Sequence, residues 1–253
     1  MTASPFPNRA LAALRDGQAL SCLWLSLGSA ALAEIAAEQA PDAIVLDLQH
    51  GLWDTGSVHA AIAAIATGST PLVRVAENRP FAIGQALDAG AAGVIVPLID
   101  TAEDAERAVA ACHYPPRGIR SGGALRPLRD FPAYSATSRA HILVAPMIET
   151  AAGLANVGAI ARTPGIDMLF IGPGDLGLAL DGDSAALEAA IAHILAVCRD
   201  IGLPCGVFTG SPAAAARRIA EGFRFVVAAD DIQFARGGFA DALRLTRQDS
   251  SPR

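Results

Sequence analysis

The chain runs to 253 residues, of which 52% are hydrophobic and 17% charged, and its formal net charge is -6. Roughly three quarters of its unfolded surface can be buried at that length, enough for one substantial core. The acidic balance, with a pI near 5.3, excludes the basic stripe of a nucleic-acid-binding face and points to small-molecule chemistry.

In chain order, Met1 to Pro7 has neither the charged n-region nor the apolar h-region of a secretory signal, so a cytoplasmic location is expected. Asn8 to Asp16 reads as a short helix. Eight apolar runs bounded by turn residues then read as buried strands. They are Leu20 to Leu25, Ala43 to Leu46, Pro71 to Val75, Gly93 to Val96, Ile142 to Ile148, Met168 to Ile171, Pro204 to Phe208 and Phe225 to Ala228. Helical periodicity marks Ala30 to Gln39, Thr55 to Ala66, Pro80 to Ala89, Ala102 to Ala111, Ala151 to Ala161, Ser184 to Arg199, Pro212 to Glu221 and Ile232 to Leu245. Tyr114 to Ser138 is a long excursion before the fifth strand. Its Pro115 to Gly123 core carries two arginines and three glycines, which suits a loop folding over an anionic ligand. The tail from Gln248 to Arg253 is expected to lack order.

Eight strand-helix units are the count for a closed parallel (β/α)8, or TIM, barrel, here a single domain over residues 1–253 with the first short helix capping its bottom. The rival is an open doubly wound sheet. Against it, no GxGxxG follows the first strand, and polar signatures follow strands two, three, five and six instead of one switch point. Alanine-rich stretches such as Ala60 to Ala66 break well short of the roughly 20 residues that span a bilayer, so no membrane association is expected. Cys22, Cys112, Cys198 and Cys205 show no CxxC spacing and read as buried, reduced thiols.

The downstream ends of barrel strands form the catalytic face. Four polar signatures fall there: Asp47-Leu48-Gln49-His50-Gly51, Val73-Arg74, Met147-Ile148-Glu149-Thr150 and Gly172-Pro173-Gly174-Asp175-Leu176. All 19 basic residues are arginine, and a guanidinium cannot serve as an amine nucleophile. Schiff-base aldolases, pyridoxal-phosphate enzymes and P-loop hydrolases are therefore excluded. An enzyme of carbonyl carbon with this composition needs another electron sink, and a metal ion held by carboxylates supplies one.

Glu149 and Asp175, on neighbouring strands, fit a hard divalent cation completed by water and substrate oxygens. Either alone would more readily cap a helix, and it is the two together on adjacent strands that favour a metal. Asp47, three residues before His50, can orient the imidazole and raise its pKa, making a general base; a loop histidine beside a capping aspartate fits equally well. Arg74 can bind a substrate carboxylate or offset a developing enolate, with a structural ion pair as the competing reading. The Gly172-Pro173-Gly174 turn lets backbone N–H groups approach an anion. Trp24 and Trp53 fall near the same face, Trp24 as pocket wall or as core. His59, His113, His141 and His193 have no partner spacing and read as structural or surface residues.

These motifs resemble the HpcH/HpaI family of metal-dependent class II pyruvate aldolases. The resemblance covers nearly the whole chain. It runs in the family's order through Leu23 to Gly28, Asp47 to Gly51, Val73 to Val75, Leu87 to Gly90, Val96-Pro97, Tyr114 to Arg120, Ile148 to Thr150, Ile171 to Leu176 and Gly222 to Val226. It implies a modified TIM barrel whose C-terminal helix is exchanged with a neighbouring subunit, in a hexamer built from two trimers. It implies His50 as the catalytic base, Arg74 as the transition-state stabiliser, and Glu149 and Asp175 as ligands of Mg²⁺ or Mn²⁺, with Co²⁺ also possible. Asp88 matches the carboxylate that increases the basicity of that histidine, and Gly174 matches a position whose backbone contacts the bound oxoacid. The implied reaction is cleavage of a 4-hydroxy-2-oxo acid to pyruvate and an aldehyde.

Two positions depart from the family pattern. Gln49 stands where glutamate is frequent, and Met147 stands where a glutamine precedes the metal-binding glutamate, replacing a polar substrate contact with a thioether. Two other readings use the same residues: a barrel lyase acting on a CoA thioester or decarboxylating oxaloacetate, and a non-catalytic oxoacid-binding barrel. Substrate panels separate the first, and chelator-sensitive turnover the second.

Overall fold

The computed structural model describes residues 8–248. Eight strands pair in parallel in sequence order, and β1 closes the ring against β8. They are β1 (Leu20–Leu25), β2 (Ala43–Asp47), β3 (Thr70–Arg74), β4 (Gly93–Val96), β5 (Leu143–Ile148), β6 (Leu169–Ile171), β7 (Cys205–Val207) and β8 (Phe225–Asp230). The expected closed parallel barrel is the fold, with strand ends shifted by a residue or two.

Helix α1 (Arg9–Arg15) precedes β1, while α2 (Ala30–Glu38), α3 (Thr55–Ile65), α4 (Pro80–Asp88) and α5 (Ala102–Cys112) follow the first four strands. The long excursion is not structureless: a 3-10 turn (Pro127–Asp130) leads into α6 (Phe131–His141). The single helix expected over Ala151 to Ala161 is instead α7 (Ala151–Ala155) and α8 (Val157–Ile160), separated at Asn156, whose φ of -99° and ψ of 5° interrupt the helical path. A short helix that the glycine-rich turn had hidden, α9 (Pro173–Ala179), follows β6, then α10 (Ser184–Asp200). Helices α11 (Pro212–Glu221) and α12 (Asp231–Gln248) complete the ring. Of the tail expected to lack order, Gln248 ends α12 and residues 249–253 lie outside the described residues.

Local signals set many of these ends. Thr101 and Asp104 form a reciprocal capping box at α5, and Ser211 caps α11 ahead of Pro212 at the first helical position. At α10 the cap is Asp183, whose carboxylate accepts the N–H groups of Ala185 and Ala186.

Strand side chains alternate in direction, so the barrel has two apolar shells. Cys22, Trp24, Val45, Leu72, Ala145, Met147 and Phe170 fill the interior, whereas Leu46, Val73, Val144, Ile148 and Ile171 face the helices. Helix α1 plugs the bottom as expected: Ala10, Leu11 and Leu14 join the interior shell. Asn8 fixes the plug by donating to the carbonyls of Ala92 at 2.7 Å and His141 at 2.8 Å, while its own carbonyl caps α1. All four cysteines are buried and free. No described helix is long and apolar enough to cross a membrane.

Candidate active site

The site is one step further along the inward parity of the strands. Val45, Leu72, Met147 and Phe170 point into the barrel, so Asp47, Arg74, Glu149 and Gly172, two residues on, cap the same interior at its C-terminal mouth. Strand register sets two of these side by side: Asp47 pairs with Arg74 across β2 and β3. Ile148 pairs with Ile171 across β5 and β6, which brings Glu149 beside Gly172.

Arg74 grips Asp47 with both ends of its guanidinium, Nε to Oδ1 at 2.8 Å and a terminal nitrogen to Oδ2 at 2.5 Å. Trp24 Nε1 donates to Oδ2 at 3.3 Å, and the backbone N–H groups of Gln49 and His50 donate to Oδ1 at 3.1 and 3.3 Å. Burial pushes the Asp47 carboxyl up, but the hydrogen bonds and charge of Arg74 outweigh it and hold the pKa below the ordinary range. Of the two readings of Asp47, orienting the His50 ring or capping the loop that carries it, the hydrogen bonds fit the second. The hydrogen bond between Asp47 and His50 runs through the backbone N–H, and the Asp47 charge is taken by the guanidinium directly opposite in register, while His50 itself is exposed at the rim.

Glu149 is 1% exposed. Its Oε1 accepts the N–H of Leu98 at 2.8 Å, presented from a backbone with φ of +54°, and its buried Oε2 has no donor among the described residues. Asp175 is its electrostatic neighbour. Burial drives the Glu149 pKa up to about 7; Asp175 adds to the rise, while the Leu98 N–H and Arg74 oppose it. Neither carboxylate caps its own helix through a side-chain bond: Thr150 caps α7, and Gly172 caps α9 with Pro173 first in the helix. Asp175 thus lies in the first turn of α9, where the helix dipole favours an anion. Gly172 is a steric requirement, since a Cβ there would lie 2.4 Å from Met147 Cε and 2.7 Å from Glu149 Oε2.

No group of three or more potential His, Cys, Asp or Glu ligands occurs among the described residues. Two facing carboxylates, one with a buried oxygen lacking any donor, nonetheless suit a hard divalent ion that keeps its remaining positions for water and substrate.

Between these groups lies a cavity of about 150 Å³ walled by Trp24, Arg74, Met147, Gly174, Asp175 and Phe208. Trp24 is both wall and core: it stacks on Phe170 at 5.6 Å, meets Phe208 edge-on at 5.4 Å and lies 5.1 Å from the Arg74 guanidinium carbon. Sequence reasoning missed Phe208, the Leu98 N–H and Asp231. The Asp231 carboxylate accepts the backbone N–H groups of Ser26 and Leu27 and ties the end of β1 to the start of α12. The barrel parity of Phe208 was a usable signal; the other two depend on loop conformation.

Asp88 is not brought to this mouth within the chain. It ends α4, and barrel helices run antiparallel to the strands, so it lies at the strand N-terminal end, opposite His50. There it pairs with Arg120 at 2.9 Å.

A parallel barrel whose C-terminal mouth gathers two facing carboxylates, a buried guanidinium and a loop imidazole has the architecture of a barrel enzyme. The chain belongs to the HpcH/HpaI aldolase/citrate lyase family, which it matches over residues 20–236. It is 39% identical to a hydroxypyruvate/pyruvate aldolase of Rhizorhabdus wittichii, covering 94% of this chain and 100% of that protein. It is 35% identical to a 5-keto-4-deoxy-D-glucarate aldolase of Salmonella paratyphi A, covering 90% of this chain and 92% of the other. A crystal structure of an HpcH/HpaI aldolase/citrate lyase family protein from Burkholderia cenocepacia superposes with a TM-score of 0.91 at 34% identity, covering 95% of this chain and 100% of that one.

Proposed function

We propose that this protein is a divalent-metal-dependent aldolase that reversibly cleaves a 4-hydroxy-2-oxo acid into pyruvate and an aldehyde. The observation that carries the reading is the Glu149–Asp175 pair, two carboxylates facing at a buried site beside Arg74, with one glutamate oxygen lacking a donor. The names of the aldolase relatives, one from hydroxypyruvate/pyruvate chemistry and one from keto-deoxy sugar acid chemistry, support it.

Glu149 and Asp175 would hold Mg²⁺, Mn²⁺ or Co²⁺, whose Lewis acidity supplies the electron sink that lysine provides in Schiff-base aldolases. His50 at the rim takes the proton from the 4-hydroxyl, the C3–C4 bond breaks, and the aldehyde carbonyl forms. The electron pair passes into the 2-oxo group, where Arg74 offsets the developing negative charge. Asp47 positions Arg74 for that role, and return of a proton to C3 yields pyruvate. Trp24, Met147 and the Gly174 backbone shape the oxoacid end of the pocket. Helix α12 leaves Phe234, Phe239, Leu243 and Leu245 exposed, and a second copy of this chain is the occupant this reading assigns to that face, in a homo-oligomer such as a hexamer.

The test is pyruvate release from a panel of 4-hydroxy-2-oxo acids, with CoA thioesters and oxaloacetate alongside. Turnover on a free hydroxy-oxo acid that EDTA abolishes and Mn²⁺ or Mg²⁺ restores is expected. Turnover only on a thioester, or turnover indifferent to chelator, would overturn the reading.

A further inference from the structure

The aldolase reading gives the carboxylate of the 2-oxo acid its place beside Arg74 and the Glu149–Asp175 pair. A second carboxylate, carried on the aldehyde, would need a cation of its own. The strand C-terminal ends and the loops that follow them surround the mouth, and the arginines they carry are Arg74, at the end of β3, and Arg79. Arg74 commits Nε and a terminal nitrogen to Asp47, and Arg79 pairs with Glu77 at 3.1 Å. The remaining described arginines lie on helices, in the excursion before β5 or at the strand N-terminal end. Carboxylates are plentiful by contrast: Asp54, Glu77, Asp100 and Asp230 join those already described at this end of the barrel.

What the mouth does offer is apolar surface. Trp24, Met147 and Phe208 line the cavity. Around it, separate strand-to-helix connections each carry an exposed leucine: Leu27 after β1, Leu52 after β2, Leu98 after β4 and Leu178 on α9 after β6. Leu52 stands two residues past His50, and its N–H donates to the Ser26 carbonyl at 2.8 Å, tying the first two of these loops together. Leu98 is the residue whose N–H holds Glu149. Single exposed leucines are ordinary, but their recurrence round one mouth marks a binding rim.

We propose that the aldehyde partner is uncharged and apolar in its tail, an aliphatic or aromatic aldehyde, so that the hydroxy-oxo acid carries a single carboxylate. The inference rests on the aldolase reading of this mouth. His50 takes the 4-hydroxyl proton at the rim, so the chain beyond C4 extends over the residues around it. An anionic tail there would give up hydration for a surface whose guanidiniums are already paired and whose other charges repel it. An alkyl or aryl tail covers leucine side chains that otherwise face water.

The experiment measures kcat/KM for the Mn²⁺-supported addition of pyruvate to 4-methylpentanal, succinic semialdehyde and glyceraldehyde. Succinic semialdehyde has the shape of 4-methylpentanal with a carboxylate in place of the isopropyl group, and glyceraldehyde tests a hydroxylated tail. 4-Methylpentanal is expected to exceed each of the others by about tenfold or more, the scale of one unmet charge or polar group. Leu52 and Leu178 are 75% and 76% exposed, so Leu52→Arg and Leu178→Arg should fold. At least one of them should raise succinic semialdehyde relative to 4-methylpentanal by about tenfold, because it supplies the missing cation. No addition to any aldehyde would overturn the aldolase reading and this inference with it. Addition that favours succinic semialdehyde or glyceraldehyde, or uses them equally well, would overturn this inference alone, as would a preference that neither arginine variant shifts.

Discussion

Asp47 and Arg74 face one another across β2 and β3 as a buried two-pronged ion pair, with hydrogen bonds of 2.8 and 2.5 Å. Breaking one half leaves a buried charge uncompensated, which typically costs about 3–5 kcal/mol, whereas replacing both with apolar groups can be nearly neutral. Asp47→Asn should therefore lose stability on that scale in urea denaturation. An Asp47→Leu/Arg74→Met double variant should recover much of it while remaining inactive. Parent-like stability in Asp47→Asn would show that the pair does not organise the mouth.

Loss of the base and loss of the metal site should differ in depth. His50→Ala is expected to retain a trace of cleavage, lowered by roughly 10² to 10⁴, the usual contribution of a general base. Asp175→Ala should lose both Mn²⁺ binding, measured by titration calorimetry, and nearly all turnover. If Asp175→Ala binds Mn²⁺ and cleaves substrate like the parent, that residue is wrongly assigned.

Gly172 leaves room for Glu149, since a Cβ would meet Glu149 Oε2 at 2.7 Å and Met147 Cε at 2.4 Å. Gly172→Ala should displace the carboxylate, weakening Mn²⁺ binding by about tenfold. Such overpacking typically costs about 1–3 kcal/mol, so the fold should persist. Unchanged metal affinity would mean that the side chains yield without moving the carboxylate.

His141 provides a pH signature. Desolvation lowers its pKa to about 4; Arg120 and His113 add to the fall, and the Thr137 backbone opposes it. The unfolded chain takes up this proton near pH 6.5 and the folded chain does not, so stability should be full above that pH and fall as pH drops toward about 4. One proton corresponds to a slope of about 1.4 kcal/mol per pH unit. His113, also lowered, adds to that slope. His141→Gln should remove about one proton's worth, read from urea midpoints between pH 4 and 7; an unchanged slope would mean that His141 is not the group responsible.

The barrel was legible because its signals are local. Apolar runs of strand length, alanine-rich helical segments and caps such as Thr101 and Ser211 depend only on near neighbours in the chain. The inward parity of Val45, Leu72 and Met147 even locates Asp47, Arg74 and Glu149 on one layer. Helix α9 stayed hidden because glycine and proline lower helix propensity; proline is tolerated there because it occupies the first helical position.

The order of residues thus determined by itself the barrel, the exclusion of lysine chemistry and the set of polar groups at the mouth. Tertiary structure alone decided who pairs with whom. Asp47 serves Arg74 more than the His50 ring, Asp88 is carried to the far end to meet Arg120, and Glu149 takes its donor from Leu98, 51 residues away. The reason is physical: periodicity along a chain fixes which way a side chain points, but a buried charge settles on whatever counter-charge or N–H the closed barrel brings within about 3 Å, and that is set by strand register and loop path.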